Sequence, residues 1–264
     1  MTPPPATATK VDEFRKPRII AVASGKGGVG KTWLSLTLAQ VLGQRRTRVL
    51  VFDADLGLAN ADIQLGHLPE RDLASVFRGE STLMEAVVKI PEGGFDLIAG
   101  QSGSGTLAGL DPSGLDKLLA GLGTVSGYDI VMLDLPAGLE GTARRFAALA
   151  DTVLLVITED PASLTDAYAV LKLLQADRKE AGLGVDARVV VNQASSMEAG
   201  KRAHAALARA GRGFLRLDPP LIGVISRDER VPEAIRQQKL LLAHFPQARA
   251  CNDVQIIARR LAKP

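Results

Sequence analysis

Apolar residues fall into short unbroken runs, separated by longer stretches in which they recur every three to four positions. The runs are 18–23, 49–52, 95–98, 128–133, 152–157, 189–191 and 221–225. Runs of this length without polar alternation suit strands buried on both faces, as inside a parallel sheet. Between them, Leu34, Leu38, Val41 and Leu42 keep helical spacing from Thr32 until Gly43 and Gln44-Arg45-Arg46 end the pattern. Asp160-Pro161 opens another helix, with a capping side chain and Pro at its first position, and Ala167, Val170, Leu171 and Leu174 form its buried stripe. Segments 73–77 and 83–88 read as short helices, and 99–106, rich in Gly and Ser, reads as a flexible loop. This alternation predicts an α/β fold: a single domain with a mostly parallel, twisted sheet of about seven or eight strands flanked by helices.

Residues 1–17 precede the first run and carry Pro3-Pro4-Pro5 and mixed charges. They read as a disordered tail, which leaves 18–264 as the folded domain. The chain has 264 residues, 46% hydrophobic and 23% charged, enough for one large core. A formal net charge of +3 permits contact with nucleic acid or an anionic membrane without demanding either. One cysteine, Cys251, excludes an internal disulfide, and no apolar run spans a bilayer or forms the core of a secretory signal. The expected compartment is a reducing cytoplasm.

The chemistry concentrates between the first strand and the first helix, in Ser24-Gly25-Lys26-Gly27-Gly28-Val29-Gly30-Lys31-Thr32. Gly25 to Thr32 has the G-x-x-x-x-G-K-[ST] spacing of a phosphate-binding loop. Its glycines let the backbone approach phosphate oxygens, Lys31 reaches the terminal phosphates, and the Thr32 hydroxyl is placed for Mg²⁺. The following helix adds its N-terminal amides and dipole. Asp53 and Asp55 end the second strand, where the carboxyl edge of a parallel sheet faces the ligand crevice. Asp134 ends the 128–133 run, where a phosphate-loop enzyme places a second metal-site carboxylate, and Pro136-Ala137-Gly138 forms a turn able to sense the γ-phosphate. Asn192 follows the 189–191 run. Its amide suits either an adenine edge or a turn.

Lys26 inside the loop, in Lys-Gly-Gly-Val-Gly-Lys-Thr, resembles the deviant Walker A of the MinD/ParA family of dimerising ATPases. Asp53-Ala54-Asp55-Leu56-Gly57-Leu58-Ala59-Asn60-Ala61-Asp62 with Leu65-Gly66 is most similar to the FlhG/FleN branch, which regulates flagellar number and placement. Asp160 to Tyr168, Asn192 and the end from Phe245-Pro246 to Leu261 resemble the same group, so the likeness covers 18 to about 261. The resemblance implies ATP and Mg²⁺ as ligands and a homodimer formed around ATP. Gly25 to Thr32 would cradle the nucleotide, with Lys31 on the β and γ phosphates and Lys26 reaching the partner subunit's ATP. Thr32 would ligate Mg²⁺, and Asp53 and Asp134 would hold it through its waters. Asp55 would polarise the attacking water, and Asn192 would read adenine with help from Arg227 and Asp228. It also implies a regulatory protein partner in the flagellar or positioning machinery.

Several points stay open at this level. Trp33 directly follows Thr32, and either packs in the core or lines the nucleotide site. Val11-Asp12-Glu13-Phe14-Arg15-Lys16-Pro17 does not reproduce the Gln-containing helix of flagellar relatives. Val254, Ile257, Ala258 and Leu261, beside Arg259, Arg260 and Lys263, are expected to close the core. The other reading of that stripe is a membrane-surface contact in the ATP-bound state. Lys201, Arg202, Arg209, Arg212 and Arg216 read as a solvated face, with nonspecific DNA or an acidic partner as alternatives. The rival functions are a ParA-like cargo-positioning ATPase on DNA and a binding-only regulator with vestigial ATPase activity.

Overall fold

In the computed structural model, which describes residues 16–55, 60–66, 71–100, 112–138 and 141–261, all seven apolar runs are strands. They are β1 (Arg18–Ser24), β2 (Val49–Asp53), β4 (Phe95–Ile98), β5 (Ile130–Ala137), β6 (Thr152–Ile157), β7 (Ala187–Ala194) and β8 (Leu221–Ser226). An eighth, β3 (Val88–Ile90), begins at the last residue of the helix that the sequence suggested over 83–88. Residues 82 to 87 form hydrogen-bonded turns, and β3 pairs antiparallel with β4 at the sheet edge. Only three residues long and centred on Lys89, it gives no apolar run to read. The order is β3-β4-β2-β5-β1-β6-β7-β8, parallel apart from that edge.

The helices are α1 (Lys31–Gly43), α2 (Ala61–Leu65), α3 (Leu73–Phe77), α4 (Pro112–Thr124), α5 (Thr142–Leu149), α6 (Pro161–Glu180), α7 (Met197–Ala210), α8 (Arg230–Arg236), α9 (Leu241–His244) and α10 (Arg249–Leu261). Alternation along each strand divides them between two layers. Ile19, Ala21 and Ala23 of β1 point into a layer with α3, α4, α5, α6 and α7, centred on Phe52 and Phe146, whose rings lie 5.7 Å apart. Ile20 and Val22 point into the layer of α1, α8, α9 and α10. Fully burying an aliphatic or aromatic side chain of this size contributes about 1.5–3 kcal/mol.

α10 settles the amphipathic stripe. Val254, Ile257, Ala258 and Leu261 are all buried against the sheet, and Leu261 O accepts a 2.8 Å bond from Arg18. No described helix is long and apolar enough to cross a membrane. The basic residues following β7 lie on the exposed side of α7 and of the π-helical segment Gly211–Leu215. They do not form a uniform charged face. Arg212 pairs with Asp218 at 2.7 Å, and Phe214, 80% exposed, stands among them edge-on to Tyr168. Residues 1–15 of the expected tail over 1–17, residues 56–59 of the second-strand motif, 101–106 of the expected loop and 262–264 lie outside the described residues.

Candidate nucleotide site

β1 runs straight into the glycine loop, and α1 leaves it with Gly30 as its N-cap. The loop needs its glycines for different reasons. A Cβ on Gly25 would collide with the backbone of α6 at Asp166, so Gly25 seats the loop against that helix. Gly28 and Gly30 have φ of 75° and 92°, which side-chain-bearing residues rarely adopt. Around Gly28 there is open space, whereas a Cβ on Gly30 would overlap the Asn192 amide. Gly28→Ala is therefore expected to cost only the backbone strain, about 1–2 kcal/mol. Gly30→Ala adds displacement of Asn192 and should weaken nucleotide binding at least about tenfold more, by equilibrium titration of both variants.

The charged groups are set by the sheet register. Asp53 and Asp134 face each other across β2 and β5. Asp134 accepts from Ser35 Oγ at 3.0 Å and from the Thr32 hydroxyl. Asp53 has a structural task that the sequence did not reveal. Its oxygens accept from the backbone amides of Asp55 (3.1 Å), Asn60 (3.0 Å) and Ala61 (3.0 Å), which ties the start of α2 to the end of β2. Lys31 Nζ donates to Ser24 Oγ at 2.9 Å, and Ser24 Oγ donates to the Lys26 carbonyl at 2.7 Å. Burial lowers the Lys31 pKa, against the attraction of Asp134 and Asp55.

A cleft of about 560 Å³ gathers most of the expected residues: Gly27, Gly28, Gly30, Lys31, Thr32, Trp33, Asp55, Asp134, Asn192, Arg227 and Asp228. It does not take in Gly25, Lys26, Val29 or Asp53. Val29 is buried in the core behind the loop, and Asp53 lies beneath the cleft wall. Lys26 pairs with Asp160, the N-cap of α6, at 2.5 Å, which raises its pKa. Asp228 lines the cleft, but both its oxygens serve the backbone. One accepts from Arg230 N at 2.9 Å and the other from Ala250 N at 3.2 Å, tying the loop after β8 to α10.

Sequence reasoning missed the support beneath the loop. Asn192 Nδ2 donates to the Val29 carbonyl at 2.7 Å, and Gln193 Nε2 donates to the Gly28 carbonyl at 3.1 Å. Gln193 holds φ at 56° to do so, a strained conformation for a non-glycine residue. It also missed the apolar residues Val231, Pro232 and Ile235, which line the cleft together with Asn60 and Gln64. An apolar wall beside a polar loop suits a heteroaromatic base attached to phosphates.

The donor set fits Mg²⁺ held jointly with phosphate. No described group of three or more His, Cys, Asp or Glu forms a protein-only cage, whereas one or two carboxylates with phosphate oxygens are what Mg²⁺ takes. Burial, and then the facing Asp134, push the Asp53 carboxyl well above the carboxylate range. Burial likewise raises Asp134, against the Thr32 and Lys31 contacts. Raised values mean that the folded chain keeps a proton the unfolded chain releases near about pH 4. Unliganded stability from this pair therefore falls as pH rises from there through the raised folded-state values. Between about pH 5 and pH 8, the wild-type thermal midpoint should drop by roughly 3 °C or more relative to Asp53→Asn, by calorimetry. Metal binding needs the carboxylates ionised, so Mg²⁺-dependent nucleotide affinity should move the other way and strengthen with pH.

Comparison with known proteins agrees with this geometry. Residues 20–242 match the model of the CobQ/CobB/MinD/ParA nucleotide binding domain. The chain is 36% identical over 245 residues to the antiactivator FleN of Pseudomonas aeruginosa, covering 92% of this chain and 86% of that one. It is 32% identical to the flagellum site-determining protein YlxH of Helicobacter pylori, covering 91% and 80%. Among solved structures, the septum site-determining protein MinD of Pyrococcus horikoshii, complexed with Mg-ADP, superposes with a TM-score of 0.77 at 26% identity, covering 94% and 96%. With the glycine loop, the paired strand-end aspartates and the sheet order all in place, the chain belongs to the CobQ/CobB/MinD/ParA family of nucleotide-binding domains.

Proposed function

We propose that this chain is a nucleotide-driven dimerisation switch: it binds ATP with Mg²⁺, dimerises, hydrolyses ATP slowly and regulates flagellar number or placement through a protein partner. The observation that carries this reading is the different placement of two lysines in one loop. Lys31 lines the cleft, while Lys26 lies outside its lining, half-exposed and held by Asp160. A cation outside its own cleft is what this reading needs to complete the site of a second copy. The identities to FleN and YlxH support the flagellar role.

In this reading the loop amides and Lys31 bind the phosphates. Thr32 would ligate Mg²⁺ with Asp134 and Asp53 helping to hold it, and the metal would supply neutralisation of the phosphate charge. Asp55 orients and polarises the attacking water, so catalysis is positioning and electrostatics with no covalent intermediate. Asn192 keeps its carbonyl oxygen for the adenine amino group while its amide nitrogen holds Val29. Arg227, anchored by its own amide to Ala194 O at 2.8 Å, borders the base. Loss of the γ-phosphate then releases the dimer.

The expected location is the cytoplasm. Because the α10 stripe is consumed by the core, any membrane contact of the ATP-bound state uses another surface. The DNA reading is weakened by the Arg212–Asp218 pair, which neutralises part of the basic stretch. Phosphate release tests the proposal: specific activity should require Mg²⁺ and rise with protein concentration. A concentration-independent rate would refute dimer dependence. No release above that of Asp55→Ala would favour a binding-only regulator. Salt-sensitive DNA co-sedimentation lost in Arg209→Ala/Arg212→Ala would favour partitioning.

A further inference from the structure

Trp33, the chain's single tryptophan, occupies the third position of α1, directly after the magnesium-site threonine. It is 5% exposed, and it lines the cleft together with Asn60, Gln64, Val231 and Ile235. Its indole Nε1–H is buried without a protein acceptor. Two other buried side-chain atoms among the described residues share that condition, Gln40 Oε1 and Arg178 Nε. Both belong to groups that use a second polar atom, since Gln40 Nε2 donates to Glu92 O and Arg178 donates to Ala150 O. Trp33 has one polar atom, so its entire hydrogen-bonding capacity is unmet. A leucine or phenylalanine would line an apolar wall without that penalty, because buried donors ordinarily have partners.

We propose that Trp33 is a nucleotide-positioning residue whose indole packs against the bound nucleotide and whose Nε1–H finds its acceptor in a nucleotide oxygen, on the α-phosphate or the ribose. This rests on the cleft being an ATP site. The placement favours those atoms. Lys31 and Thr32, two and one positions earlier, take the terminal phosphates and metal in that reading, while Asn192 and Arg227, which it gives to the base, line the same cleft. Because Nε1 is covered in the unliganded chain, pairing requires the ring to turn within the cleft, and binding should change the indole environment.

Fluorescence reads this directly, since the chain has one indole. Adding MgATP to the wild type should shift or quench the emission in a saturable way. Trp33→Phe, and replacement of Trp33 by 3-benzothienylalanine, which keeps the indole shape but lacks the N–H, are both expected to bind ATP about tenfold more weakly by equilibrium dialysis. Their unliganded thermal midpoints should stay within a few degrees of wild type, while the rise on adding ATP shrinks. A merely structural tryptophan gives the opposite pattern: a lower unliganded midpoint for the phenylalanine variant, with unchanged ATP affinity in both. Inorganic tripolyphosphate and 2′-deoxy-ATP identify the acceptor. Weakened tripolyphosphate binding in the variants points to phosphate, and an affinity gap that closes with 2′-deoxy-ATP points to the ribose hydroxyl. Wild-type affinity in both variants, with wild-type emission blind to ATP, would overturn the inference while leaving the ATP site intact. Failure of the wild type to bind labelled ATP would instead overturn the site itself.

Discussion

Lys31→Ala is expected to abolish measurable ATP binding, an affinity loss of about 100-fold or more, while Lys26→Ala binds ATP nearly as wild type. The two residues lie five positions apart in one loop, yet their surroundings differ entirely. Lys31 is held inside the cleft by Ser24, with Asp134 and Asp55 nearby, so its charge faces the phosphates with little water to screen it. Removing it loses a charge-assisted contact, worth about 1.5–3 kcal/mol, and leaves two carboxylates facing the incoming anion. Lys26 pairs with Asp160 at a solvent-exposed position, with Asp166 nearby. Its loss should leave binding by the monomer intact but eliminate ATP-dependent association and turnover. Isothermal titration with a non-hydrolysable ATP analogue separates the two variants, and equal losses of affinity would contradict the assigned division of labour.

Asp55→Ala is expected to lower phosphate release by about 100-fold or more while ATP affinity stays within roughly threefold of wild type. Asp55 lines the cleft, and its amide is pinned to Asp53 Oδ1, so its carboxylate is carried on a fixed turn. It stands close enough to Asp134 and Lys31 to act on the charge of both. Removing it takes away one negative charge near the terminal phosphate, which does not oppose binding. In the proposed function it removes from catalysis the group that orients water, a contribution made only as the reaction proceeds. A variant that loses affinity and turnover in equal measure would instead make Asp55 a binding residue.

Much of this site was legible because covalent spacing carries it. Gly25 to Thr32 dictates a loop between strand and helix, and acidic residues that end apolar runs must emerge at one edge of a parallel sheet. The seven runs became strands for the same reason, since Val49 to Phe52 or Thr152 to Ile157 has no polar face to expose. What escaped depends on neighbours distant in sequence. Asn192 and Gln193 reach Val29 and Gly28 across more than 160 positions. Lys26 meets Asp160 across 134, and the fit of Gly25 against Asp166 exists only once α6 has docked. The α10 stripe was ambiguous because a core-closing helix and a membrane-surface helix share one periodicity. Only its burial separates them. Asp228 was assigned to the nucleotide by resemblance, and the acceptor role of its oxygens toward the Arg230 and Ala250 amides depends on a residue over twenty positions away.

The central claim is that ATP, and not ADP, brings two copies together with the hydrolytic step as the timer. Light scattering on a sizing column, applied to Asp55→Ala with MgATP and then with MgADP, tests it most directly. The account predicts the monomer mass of 27.9 kDa in ADP and twice that in ATP. The same mass in both nucleotides, with ATP demonstrably bound, would contradict it.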